Sequence, residues 1–383
     1  MKSDNLKSLL DRISTLQIGE HTLLIAMSIV VGILSGFANI LLRATMHFVH
    51  EVVFIGGSTI LHIDKGGGYR LLLPLLPICG AILLIPLSRV FRDDVNGYGF
   101  PKFLEQVNIK GGRVRKRTIP VKILGSAFTI GTGGSAGVEG PIAQIGGAIG
   151  SLVGQVFKVS GNRIKLLIAA GSAGGVAATF NAPIAGVMFA TEIVLLGNYE
   201  LTSFAAIVIS SGLATVVSRM YYGENAIFTV PAYDASIYEI PFYILFGVFM
   251  GITAVLYIKM FYKVKDRFDK MHIHPWMKPV TGAFIIGCIG IFFPYVMGDG
   301  YEFIQMALDG KIIFLIMLIL VFLKIVATSF TLGSGGAGGV FAPALFIGAM
   351  AGGSFGWIVH SLFPSYTANP GAYATVGIGA FLA

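Results

Sequence analysis

Apolar residues run through this chain in long uncharged stretches, and glycine interrupts several of them. Residues 21–50 and 69–91 are each long enough to cross about 30 Å of hydrocarbon as a helix. Between them, residues 56–68 read as a short loop with one lysine. A stretch of about ten residues starting at Gly97-Tyr-Gly-Phe-Pro101 is too short to span. The most basic loop follows, with Lys110, Arg113, Arg115, Lys116, Arg117 and Lys122. Residues 119–130, 141–157 and 164–180 read as short or broken helices, and Asn181-Ala-Pro-Ile-Ala-Gly186 restarts a helix that carries Glu192. Further spans are expected at 201–222, 240–261, 280–297, 312–330 and 343–363, with a last apolar piece at 372–383.

One interruption occurs twice. Gly131-Thr-Gly-Gly-Ser-Ala-Gly-Val-Glu139-Gly-Pro141 returns as Gly333-Ser-Gly-Gly-Ala-Gly-Gly-Val-Phe-Ala-Pro343, without gaps at an offset of 202 residues and with six of eleven positions identical. In the second copy Phe341 replaces Glu139. The chain therefore divides into an N-terminal amphipathic helix at 1–20, a first membrane repeat at 21–222 and a second at 223–383. Adding the same offset to Asn181 lands on position 383, so the last helices of the second repeat are expected to be absent from this sequence.

Composition fixes the class. Hydrophobic residues make up 55%, charged residues 12%, and mean hydropathy is +0.81. A soluble domain carries about twice that charged fraction, so the chain is a polytopic membrane protein. Its net charge of +8 gathers in two basic loops, 110–122 and 259–278. Positive-inside topology explains these loops and leaves no need for a nucleic-acid partner. It places them and the N-terminus in the cytoplasm and turns 223–238, which lack lysine and arginine, outward. Cys79 and Cys288 lie in apolar spans and suggest neither disulfide framework nor metal cluster. His47, His50 and Glu51 have helical spacing that suits a metal, but a place at the membrane interface accounts for them. His272 and His274 sit in a basic loop. No metal or cofactor is expected.

Repeated halves with interrupted helices point to a substrate site near the bilayer midplane. The first amides of a helix lack internal partners and carry the positive end of its dipole, so they can hold a dehydrated anion without a tightly binding lysine. Glycine lets those amides approach the ion, and Pro101, Pro141 and Pro343 suit first helical turns. The competing reading is that such loops only allow close helix packing. A nucleotide site is not supported, because no Walker lysine accompanies Gly131–Gly137. Glu139 is an ionisable group inside a membrane segment, hence a functional candidate. At a helix start its carboxylate can take the anion's place when charged and leave when protonated; otherwise it is a plain N-terminal carboxylate that suits the dipole. Glu192 reads equally as a proton-route residue or a structural one.

Taken together, Gly97-Tyr-Gly-Phe-Pro101, Gly137-Val-Glu-Gly-Pro141 and Gly339-Val-Phe-Ala-Pro343 resemble, in order and spacing, the motifs of the CLC family of chloride channels and chloride/proton exchangers. The resemblance implies an all-α membrane fold with an inverted-topology repeat of short, broken and re-entrant helices, and a homodimer with one anion pathway per subunit. It implies a gating role for Glu139 and anion contacts around Tyr98, Gly99 and Phe100, around Gly137, Val138 and Gly140, and around Gly339, Val340, Phe341 and Ala342. Tyr98 stands where the family has a chloride-binding serine, and Val138 where it has a basic residue. Ile193 stands where exchangers of the best-known type carry a second glutamate. On these grounds the first reading is a glutamate-gated chloride channel. A chloride/proton antiporter is the alternative, and a fluoride exporter is motivated by Tyr98. A membrane-embedded enzyme or scaffold is remote, since no His, Ser or Asp constellation accompanies Glu139.

Overall fold

The computed structural model of the protein describes residues 20–91, 95, 99–197, 201–233 and 236–383. The expected N-terminal amphipathic helix and Tyr98 lie outside these residues. Among the described residues, regular structure is helical apart from a single isolated β-bridge, as the apolar pattern predicts. In hydrocarbon each backbone donor must be satisfied within the protein, and a helix does this segment by segment. Six helices among the described residues are long and apolar enough to cross a membrane, and the chain is an integral, multi-pass membrane protein.

The helices in chain order are α1 (Glu20–Val49), α2 (Gly56–Ile60), α3 (Leu75–Val90), α4 (Phe100–Asn108), α5 (Thr118–Ile130), α6 (Glu139–Val156), α7 (Gly161–Phe180) and α8 (Pro183–Phe189). They continue with α9 (Leu201–Tyr222), α10 (Ile240–Lys270), α11 (Met277–Phe292), α12 (Tyr301–Leu308), α13 (Phe314–Gly333), α14 (Phe341–Leu362) and α15 (Pro370–Leu382). Most boundaries lie within a few residues of the apolar pattern. Three expectations need correction. Residues 56–68 are not all loop, because a π-helical turn at His50–Ile55 carries α1 directly into α2. The basic residues from Lys259 to Lys270 form the last turns of α10 instead of a loop, where long cationic side chains can reach beyond the apolar layer. Lys122 lies inside α5 and is buried.

The chain forms two compact units, each assembled from three stretches. The first draws on Met1–Leu42, Phe100–Pro120 and Ile142–Ala226. Here α7 packs along α9 and α8. Where α6 crosses α7, a Cβ on Gly146 would collide with the carbonyl of Gly171, and one on Gly171 with the carbonyl of Gly146. The two backbones touch. Without a hydrophobic driving force between helices in lipid, such contact supplies the packing that holds them.

The second unit draws on Arg43–Gly99, Val121–Pro141 and Ile227–Ala383. Its centre is α14, which packs on α13, α15, α12 and α10 and is buried along most of its length. The crossing of α14 and α15 repeats that of α6 and α7, with Gly348 against the Gly377 carbonyl and Gly377 against that of Gly348. On α10, Phe246, Met250, Thr253, Tyr257, Phe261, Val264 and Phe268 recur every three or four residues and are buried. Ile244, Leu245, Val248 and Ile252 face outward on the same helix, the surface a lipid-facing helix needs.

The repeat extends upstream of the glycine loops. Lys122, Phe128 and Thr129 on α5 correspond, at the same offset of 202, to Lys324, Phe330 and Thr331 on α13. The helices α6 and α14 both begin at the position of the Glu139/Phe341 replacement.

Candidate functional site: the paired glycine loops

Both glycine loops belong to the second unit, and there they bind each other. The Gly137 amide donates to the Gly339 carbonyl and the Gly339 amide to the Gly137 carbonyl, each over 2.8 Å. Around this bridge the bonds recur in reciprocal pairs. Thr331 Oγ1 accepts from the Ser135 amide and Thr129 Oγ1 from the Ala337 amide, both at 3.0 Å. Gly134 closes on the Thr129 carbonyl and Gly336 on the Thr331 carbonyl. Gly133 and Gly335 have φ of +100° and +111°, backbone that side chains with a Cβ rarely adopt. The equivalent sequences thus build one structure with a local two-fold relationship.

Glu139 is the first residue of α6 and is 1% exposed. Its Oε2 accepts a hydrogen bond from the Ala342 amide over 3.3 Å, at the N-terminus of α14. The carboxylate from the first loop thus occupies the end of the helix opened by the second. Absence of a side chain at Gly137 makes room for it, since a Cβ there would strike both Oε2 and the Ala342 amide nitrogen. Val340 and Phe341 form the cap and first residue of α14. Gly140 lies against Gly339.

The other carboxylate oxygen, Oε1, accepts a hydrogen bond from the Tyr301 hydroxyl. Tyr301 opens α12, and neither that helix nor that residue is expected from the apolar pattern. A usable signal exists: the offset of 202 carries residues 97–101 onto 299–303, where α12 starts. The turn before it is held from inside. The fully buried Lys324 Nζ donates to the carbonyls of Val296 and Gly298, each over 3.0 Å, and lies 4.8 Å from the centre of the Phe346 ring. The Gly298 amide donates in turn to the Gly133 carbonyl of the first glycine loop.

The structure therefore brings Gly137, Val138, Glu139, Gly140, Gly339, Val340, Phe341 and Ala342 into one neighbourhood within the second unit. Gly99 also belongs to that unit, while Phe100 belongs to the first, where its ring packs on Phe103 and Phe189. Glu192 is exposed on a π-helical turn at Ala190–Val194 in the first unit. Among the described residues no group of His, Cys, Asp and Glu is arranged to hold a metal.

A family model described as "Voltage gated chloride channel" matches residues 79–383. The H(+)/Cl(-) exchange transporter ClcA of Vibrio cholerae (strain M66-2) is 33% identical over 368 residues, covering 93% of this chain and 77% of the relative. A putative chloride channel protein, ClcB-like, of Ralstonia nicotianae is 31% identical over 314 residues, 81% of this chain and 73% of that one. Among solved structures, a slow cyanobacterial Cl-/H+ antiporter superposes with a TM-score of 0.84 at 25% identity, over 94% of this chain and 85% of the other. A CLC-type fluoride/proton antiporter has the same fold, with a TM-score of 0.77 at 21% identity over 95% and 88% of the two chains. By sequence and fold, the chain belongs to the CLC family of chloride transport proteins.

Proposed function

We propose that this protein exchanges chloride for protons across the membrane, with Glu139 as the group that links the two. The observation that carries this reading is the Glu139 carboxylate seated on the Ala342 amide at the start of α14. A helix start offers an anion unpaired amides and the positive end of a dipole, and here a side-chain anion fills it. When Glu139 takes up a proton it loses the charge that favours this seat, and the amides become free for chloride. When chloride leaves, the deprotonated carboxylate returns. Competition between a fixed carboxylate and a mobile anion for one set of donors couples proton binding to anion binding.

Exchange displaces the passive channel as the leading reading because the Vibrio relative, 33% identical over 93% of this chain, is named an exchange transporter. One specific observation supports the channel as the second reading: Ile193 occupies the position where well-known exchangers have their other glutamate. Fluoride, an enzymatic role and the homodimer gain no support beyond the expectations stated above.

Reversal potentials decide between the readings. In planar bilayers or voltage-clamped proteoliposomes under a fixed chloride gradient, an imposed pH gradient is expected to displace the reversal potential from the chloride equilibrium value. A potential that ignores the pH gradient identifies a passive pore.

A further inference from the structure

We infer that Tyr301 is a positioning residue that latches Glu139 in its seated state, and that Lys324 holds the latch in register. The inference rests on the gating role of Glu139 proposed above and adds what sets the strength of that gate. Glu139 has two oxygens to satisfy when charged and buried. Oε2 takes the Ala342 amide. Oε1 takes the Tyr301 hydroxyl. A hydrogen bond to an ionised acceptor is roughly twice as strong as a neutral one, and an unmet carboxylate oxygen in a buried site is costly. The phenol therefore favours the seated, charged form over the released, protonated one.

The latch works only if the tyrosine cannot drift. Gly300, immediately before it, has φ +82° and lies against the Phe346 ring and Lys324 Nζ, so a Cβ there would meet both. Lys324 ties down the preceding carbonyls at Val296 and Gly298, and Gly298 is bonded to the loop that leads to Glu139. The Tyr301 ring meets Phe228 edge-on, with centroids 5.6 Å apart. Latch and gate are thus referred to one rigid turn. The charged groups acting on Glu139 are Asp299, from that same turn, and Arg43, from α1; Lys324 acts on Asp299.

Chloride flux from proteoliposomes measured across pH tests this with Tyr301→Phe, which removes one oxygen atom and keeps the ring. Wild-type flux is expected to rise as pH falls and Glu139 is released. Without the hydroxyl the charged seat is weaker, so the midpoint of that rise moves to higher pH by about one unit, a tenfold change in the seating equilibrium. Phe228→Ala, which loosens the ring without removing the hydroxyl, is expected to shift the midpoint the same way by less, and serves if Tyr301→Phe does not fold. In a Glu139→Gln background, Tyr301→Phe is expected to leave the profile unchanged. If Glu139→Gln flattens the profile while Tyr301→Phe overlays wild type, the latch is wrong and the gate stands. A Tyr301→Phe shift that persists with Gln at 139 also overturns the latch. A profile that Glu139→Gln does not flatten removes the gate, and the latch with it.

Discussion

Thr129 and Thr331 hold each other's loops: each hydroxyl accepts the amide of a residue in the opposite glycine loop, at the same 3.0 Å. Each also donates to its own helix, Thr129 to the Gly125 carbonyl and Thr331 to the Ala327 carbonyl. Each hydroxyl thus uses its one donor and one of its two acceptor sites. Replacing either threonine by valine keeps shape and leaves one buried amide without an acceptor. Thr129→Val and Thr331→Val are expected to destabilise the protein by similar amounts, about 1–3 kcal/mol each. Thermal unfolding in detergent measures both, and a large effect at one site with none at the other would break the claimed equivalence.

Glutamine at position 139 mimics the protonated carboxyl. Glu139→Gln is expected to give chloride flux independent of pH and a reversal potential that no longer responds to a proton gradient. The sign follows from the proposed exchange: if only the charged carboxylate competes with chloride for the Ala342 amide, lowering the pH opens wild type and does nothing to the variant. Flux assays at several pH values read this directly.

Gly137→Ala attacks the seat and spares the Glu139 carboxyl itself. Its methyl would lie where Glu139 Oε2 and the Ala342 amide nitrogen now meet. The carboxylate is expected to be displaced while still charged, raising flux at alkaline pH severalfold and flattening the pH profile from that side. A variant with wild-type flux at alkaline pH would show that the carboxylate does not block from this position.

Lys324 is fully buried, its Nζ donates to the carbonyls of Val296 and Gly298, and its charge acts on nearby Asp299. Lys324→Met leaves the Val296 and Gly298 carbonyls without their donor, at a cost of about 1–3 kcal/mol for each buried acceptor left unmet, and removes one of the two cations, with Arg43, that act on Asp299. A large loss of thermal stability is expected, partly recovered in Lys324→Met/Asp299→Asn. Additive effects of the two substitutions would exclude an electrostatic coupling between the two side chains.

Long apolar helices were legible because lipid imposes their composition. That is why α9 begins and ends at residues 201 and 222, where the apolar run does. The shared backbone of the two glycine loops was legible from the duplication, because the same glycine spacing demands the same backbone; the bond from Glu139 to Ala342 of the other loop was not. The charge-based reading failed at Lys122, which it assigned to a loop. The corresponding Lys324, inside an apolar span, shows that this repeat buries a lysine in each half. Tyr301 escaped because α12 is only eight residues long and carries Glu302, so no apolar run announces it. Applying the repeat offset to every motif, and not to the glycine loops alone, would have reached it.

The exchange of backbone bonds between Gly137 and Gly339 also bears on how the protein is made. The ribosome delivers the second loop 202 residues after the first, a delay of roughly 10–40 s at ordinary elongation rates. Throughout that interval the Gly137 amide and carbonyl await partners that only the later half supplies. The seat of Glu139 is therefore completed only once the second loop has been made, and a chain stalled before Gly339 lacks the Ala342 amide that Glu139 meets in the folded protein.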